Sequence, residues 1–184
     1  MKNYLKKIKK KYPALGFFKN SIINIYNQFG SKTKWQKIAK QKIIKLELGS
    51  WKKYGSNGWT TIDLVDSDIC WDLRKGILLP DNSVDIIYSS HLLEHIQYED
   101  IIVLLTECRR VLKKSGELSV SVPDFRLYVD AYIKGELYRP KETWWLPASI
   151  DTNSAIDQLN YVAYMGSEHK YLFDKENLIN TLLK

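Results

Sequence analysis

An α/β fold built on a parallel sheet is the class this sequence predicts, and three observations predict it. Short apolar, β-branched runs recur at residues 43–48, 59–63, 69–73, 84–90 and 117–122, each of strand length. A helical stripe of Ile101, Leu104, Leu105, Cys108, Val111 and Leu112 separates the last two runs. Glycine or polar residues punctuate every junction, as at Gly49, Gly76 and Pro80-Asp81-Asn82-Ser83. Strands alternating with helices imply parallel strands joined by right-handed crossovers.

The first two runs organise the rest. Ile43-Ile44-Lys45-Leu46-Glu47-Leu48 is stopped by Gly49, a polar turn carries Gly55 and Gly58, and Trp59-Thr60-Thr61-Ile62 ends in Asp63. Parallel strands joined in this way bring Gly49 and Asp63 together at the carboxyl edge of the sheet, where open α/β sheets bind ligands. Glycine admits close backbone approach, and an acid ending the second strand accepts hydrogen bonds from ribose hydroxyls. The spacing of 14 residues is shorter than the ~20 of the dinucleotide fingerprint. It reads as a nucleoside site without a pyrophosphate cradle.

The chain of 184 residues suits one body, at roughly 100–200 residues per domain, with an arm before it. Residues 1–46 hold 13 of the 28 basic residues and no acid, which leaves 15 basic against 21 acidic residues in the remainder. The arm is drawn at 1–42 and the body at 43–184. In the arm Leu5, Ile8, Tyr12 and Leu15 share a helical face, Pro13 interrupts it, and Phe18, Ile22, Ile25 and Phe29 resume the period. Such a segment either lies on an anionic membrane, at about 1 kcal/mol per lysine near the headgroups, or packs its stripe on the body or on a second copy in a homodimer. Nucleic acid ranks lower, because no binding module accompanies the charge. No apolar run approaches the roughly 20 residues that span a bilayer, and Lys19-Asn20 interrupt a signal-like segment. Cys70 and Cys108 lack metal-type spacing, so apolar packing in a reduced compartment is expected of them. The expected location is cytoplasmic, with peripheral contact at the inner membrane surface.

The order of the body continues as follows. Arg109, Arg110, Lys113 and Lys114, followed by Gly116, close the main helix as a carboxyl terminus should. Residues 125–166 read as an aromatic-rich insert over a substrate pocket. In it Leu127, Tyr128, Ala131 and Tyr132 suggest one short helix, Trp144-Trp145 an irregular stretch, and Ile156, Leu159, Val162 and Met165 another helix. Asp174 caps a last helix carrying Leu178, Ile179, Leu182 and Leu183.

Seven pieces in register carry a resemblance. They are Leu46-Glu47-Leu48-Gly49-Ser50, Gly58-Trp59-Thr60-Thr61-Ile62-Asp63, Trp71-Asp72-Leu73-Arg74-Lys75-Gly76, Leu79-Pro80-Asp81-Asn82-Ser83-Val84-Asp85, Tyr88-Ser89-Ser90-His91 to His95, Glu107 to Lys113, and Val122-Pro123-Asp124. The chain from about Lys45 onward, some three quarters of it, resembles a class I S-adenosylmethionine-dependent methyltransferase of the type 11 kind often encoded among polysaccharide genes. The resemblance implies a Rossmann-like, doubly wound, mainly parallel sheet in the order 3-2-1-4-5. It also implies that Glu47, Gly49 and Ser50 floor the methionine part of the cofactor, that Asp63 takes the ribose hydroxyls, and that Asp72 and Leu73 sit near the adenine. Ser89, Ser90 and His91 would border the transferred methyl. Two departures stand out: Trp51 replaces the second glycine of the first turn, and the family's last antiparallel strand pair is missing after the final helix. A truncated member with a bare sheet edge is therefore expected.

All three histidines fall near this edge. His91 and His95 are four apart with Glu94 between them, so at a helix start they would share one face. The string His-x-x-Glu-His also matches an inverted zinc-protease signature. Closer is the resemblance to methyltransferases of small-RNA 3′ ends and of ubiquinone precursors, in which an acid-x-x-Glu-His string and a later histidine bind a divalent metal. That resemblance makes His91, Glu94, His95 and His169 the candidate ligands. Because His91 replaces the first acid, the sequence reading favours no metal and assigns proton transfer to His91, His95 and His169 as catalytic residues. The leading function is methyl transfer to a hydroxyl of a sugar or cell-surface glycan precursor. A non-catalytic fold remnant is the alternative, and a metal-dependent hydrolase the third reading.

Overall fold

The computed structural model describes residues 30–138 and 152–184. The stripes read over residues 5–29 and the Trp144-Trp145 stretch lie outside the described residues. The described elements are helix α1 (residues 30–38), β1 (Lys45–Leu48), β2 (Trp59–Asp63), β3 (Ile69–Cys70), β4 (Val84–Ser90), α2 (Tyr98–Val111), β5 (Leu112–Ser121), α3 (Phe125–Ile133), α4 (Ile156–Tyr164) and α5 (Lys175–Leu182). The five strands form one sheet in the order β3-β2-β1-β4-β5, with every pairing parallel. This is a Rossmann-like α/β fold, with the sheet order the resemblance implies. Among the described residues the sheet ends at β5.

Central strands are apolar because both faces are covered. Leu46, Leu48, Ile62 and Ile87 are fully buried, and α2 lays Ile101, Leu104, Cys108 and Val111 against them. Burial pushes the Cys108 thiol up to about 12, which suits an inert packing residue. Helix α1 also belongs to this core. Trp35 and Ile38 are buried in it, and the Ser31 hydroxyl donates to the Cys70 carbonyl at 2.8 Å. Lysines 32, 37 and 40 face outward while Trp35 and Ile38 of α1 pack inward.

Two boundaries differ from the sequence reading. Helix α2 ends at Val111 rather than continuing to Lys114, because the loop after Pro80 caps it. Asn82 and Ser83 donate their backbone N–H groups to the carbonyls of Arg110 and Val111 at 3.0 and 2.8 Å. Leu112 then turns extended, and Lys113 reaches Asp85 at 2.7 Å. The second difference is β3, which is only two residues long. Leu73 continues into a 3-10 turn capped by Asp72.

The motif Glu107 to Lys113 proves to be a brace. The Glu107 carboxylate accepts from the Ile77 N–H at 2.9 Å and from Arg110 at 2.7 Å through each oxygen. Arg110 also binds Asp81 and the carbonyls of Ile77 and Leu79. Gly76 has φ +87°, and a β-carbon there would meet Glu107 at 2.9 Å. The brace fixes the loop that delivers β4.

Candidate active site

The carboxyl edge of the sheet gathers the turns after β1, β2 and β4. Gly49 leaves β1 with φ +73°, donates to the Ile62 carbonyl at 2.9 Å, and lies against Leu92. An added β-carbon would sit 2.7 Å from Leu92 Cβ. The close approach that demands glycine here is therefore made by the turn after β4.

Asp63 is directed toward that first turn. Its Oδ2 accepts from the Trp51 N–H at 2.8 Å and its Oδ1 from the Leu64 N–H at 2.6 Å. Glu47, one residue before the end of β1, is paired with both carboxylate oxygens on the Lys53 ammonium, at 2.8 and 2.9 Å. Trp51 does not plug the gap. Its backbone is left-handed, φ 37°, and its side chain is 78% exposed. Ser50 donates to the Lys53 carbonyl at 3.4 Å.

The remaining residues assigned by resemblance spread over different roles. Asp72 caps the 3-10 turn and is clamped by Arg74 at 2.9 and 2.8 Å. The Arg74 hydrogen bonds hold its carboxyl below the usual range. Leu73 is buried in the core, and the Ser89 hydroxyl donates inward to the Leu48 carbonyl at 3.3 Å. Ser90 pairs with Ser121 across β4 and β5.

The histidines do not share a helical face. Leu93–His95 is a 3-10 turn, and His91 precedes it with a left-handed backbone, φ 53°. This geometry turns His91 toward Glu94, with Nδ1 3.1 Å from Oε1. Glu94 is 2% exposed, and among the described residues its Oε2 has no hydrogen-bond partner. His169 is carried in by the segment before α5, where Lys170 and Tyr171 donate their N–H groups to the Glu94 carbonyl at 2.7 and 3.2 Å. Its Nδ1 lies 2.5 Å from the Val162 carbonyl, and its ring meets His95 edge-on at 4.8 Å between centroids. Desolvation, partly offset by the Val162 carbonyl, holds the His169 imidazole below its ordinary pKa and hence neutral. Ligand atoms of Glu94, His95 and His169 all lie within 4.8 Å of one another.

That donor set suits a divalent cation. It offers a buried carboxylate oxygen lacking a partner and an imidazole whose Nδ1–H is fixed on a carbonyl, which leaves Nε2 as the lone-pair atom. His91 falls outside the triplet. The protease arrangement, two histidines on one helix with a third ligand from a distant helix, is not what the string forms here. The signal for the cluster was the pairing of Glu94-His95 with the late His169. Sequence spacing alone did not reveal that His91 would turn to Glu94 instead.

Residues 37–120 match the family model of a methyltransferase domain. The matched stretch runs from the end of α1 through nearly all of β5 and contains Glu47, Gly49, Asp63 and Glu94. It supports an S-adenosylmethionine-dependent methyltransferase, with S-adenosylmethionine as the usual cofactor of such domains. Comparison with curated proteins gave no match. Among the described residues no helix is long and apolar enough to cross a membrane.

Proposed function

We propose that the protein transfers a methyl group from S-adenosylmethionine to a hydroxyl of a sugar or cell-surface glycan precursor. The observation that supports methyl transfer most strongly is the convergence of the Asp63 carboxylate on the Gly49 turn, within a stretch that matches a methyltransferase domain. The cofactor supplies an electrophilic sulfonium methyl, so positioning accounts for most of the rate. Asp63 accepts from the ribose hydroxyls and Glu47 from the ammonium of the amino-acid head. His91, oriented through Nδ1 by Glu94, takes the acceptor proton at Nε2, a contribution of about 10²–10⁴ in rate for a placed base.

A polyhydroxylated acceptor suits the groove at the carboxyl end of β5. This groove, about 350 Å³, is lined by Asp124, Arg126, Asp174, Lys175 and Asn180 among others, side chains able to hydrogen-bond hydroxyls. The basic lysines of α1, with those of the preceding arm, would hold a cytoplasmic enzyme near anionic lipid-linked precursors. The test is transfer of isotope-labelled methyl from S-adenosylmethionine to a panel of nucleotide sugars and lipid-linked saccharides. Label in a sugar hydroxyl supports the reading, whereas label only in protein, nucleic acid or small phenols refutes the acceptor class.

A second reading is favoured by the orphaned Glu94 oxygen. Glu94, His95 and His169 would hold a divalent ion, which lowers the pKa of a bound hydroxyl. His169 would bind it through Nε2, while Val162 fixes the ring. Metal analysis of protein purified without chelator, before and after EDTA, tests it, with Glu94→Gln as the control that loses the ion.

A further inference from the structure

Two of the acidic groups assigned to the cofactor, Glu47 and Asp63, already accept hydrogen bonds from the loop between β1 and β2. Lys53 places its ammonium on both oxygens of Glu47, and the Trp51 N–H occupies Asp63 Oδ2. The Lys53 ammonium is the same kind of donor that the cofactor's amino-acid head would bring to Glu47, and the Trp51 N–H takes an oxygen of Asp63 that a ribose hydroxyl would use. The loop adopts this arrangement at a conformational cost. Trp51 and Lys52 are non-glycine residues with φ of 37° and 54°, a backbone region that persists only when surrounding contacts enforce it. The indole and Tyr54 ring are left exposed at 78% and 64%, so little apolar burial holds the loop down.

We propose that Lys53 is a specificity-determining residue that competes with the cofactor's α-ammonium for Glu47, so that ligand binding requires the loop to release both carboxylates. This rests on the cofactor reading above and adds to it a chain residue that sets affinity and head-group preference. Lys53 is half exposed, at 56%, while Glu47 is 14% exposed. The pair is therefore partly screened and weak enough to be displaced.

The experiment is calorimetric titration of the full chain and of Lys53→Met and Lys53→Arg, each with S-adenosylmethionine and with adenosine, which lacks the amino-acid head. Lys53→Met should bind S-adenosylmethionine about two- to fivefold more tightly, the range expected from removing an exposed ion pair. Adenosine affinity should stay the same, and Lys53→Arg should behave as the parent. Unchanged or weaker S-adenosylmethionine binding by Lys53→Met, with adenosine still bound, overturns the competition and leaves the cofactor reading standing. Failure of every variant to bind either ligand removes the cofactor reading, and the competition falls with it. A chemical-denaturation curve for each variant separates loss of fold from loss of binding.

Discussion

Replacing Gly49 by alanine tests the geometry on which the site depends. The residue sits at φ +73°, where an L side chain costs about 1–2 kcal/mol. The new β-carbon would also lie 2.7 Å from Leu92 Cβ and 2.9 Å from Leu92 Cδ1, and crowding of this kind adds about 1–3 kcal/mol. Together these give a loss of roughly 2–5 kcal/mol, a fall in Tm of about 4–20 °C for a chain of this size. Urea denaturation of Gly49→Ala measures it directly. Leu92→Ala in the same background should recover only part of the loss, since it removes Cδ1 but keeps the Cβ that makes the shortest contact. A loss below about 0.5 kcal/mol, the range of a neutral surface change, would refute the close packing of the β1 and β4 turns.

Four further outcomes are expected. Trp35→Ala should destabilise the fold by about 3–5 kcal/mol, because α1 is part of the core; a neutral result in urea denaturation would make it a detachable arm. Arg110→Ala should cost about 1–3 kcal/mol by leaving the Glu107 carboxylate partly unpaired, with the lower half favoured by its exposure, read as a shift of the urea midpoint. His169 has a depressed pKa in the fold, mainly through desolvation. The unfolded chain therefore binds its proton first, and stability should fall as pH drops below about 6.5; Tm measured from pH 8 to 5 should show this fall, and His169→Gln should flatten it. Micromolar Zn²⁺ or Mn²⁺ should raise Tm of the parent by ligand linkage and leave Glu94→Gln unaffected; equal shifts in both would remove Glu94 from any ion site.

Much of the sheet was legible because its strands are buried on both faces. Val84–Ser90 emerges with the bounds its apolar run suggested, and the stripe of α2 packs as its period requires. Asp174 caps α5 as read, its carboxylate accepting from the Asn177 N–H at 2.7 Å. What local pattern did not carry was set by distant contacts. Helix α1 holds the core through just Trp35 and Ile38 amid lysines, a stripe too sparse to separate from a solvated arm. The end of α2 was decided by Asn82 and Ser83 from another loop. In the candidate site, the joining of Gly49 and Asp63 followed from parallel topology, which sequence order dictates. The turning of His91 toward Glu94 depends on a left-handed residue in a 3-10 turn, which helical periodicity cannot express. Ser89 and Leu73 face inward because the strand pleat and the early end of β3, rather than the motif, settle which way they point.

Calorimetric titration of the parent chain and of Asp63→Ala with S-adenosylmethionine is the most direct test of the central claim. The account predicts saturable one-to-one binding by the parent and a loss of at least tenfold in affinity on removing the carboxylate, about 1.4 kcal/mol, with the urea midpoint retained. Equal affinity in the two proteins, or no binding by a folded parent, would contradict it.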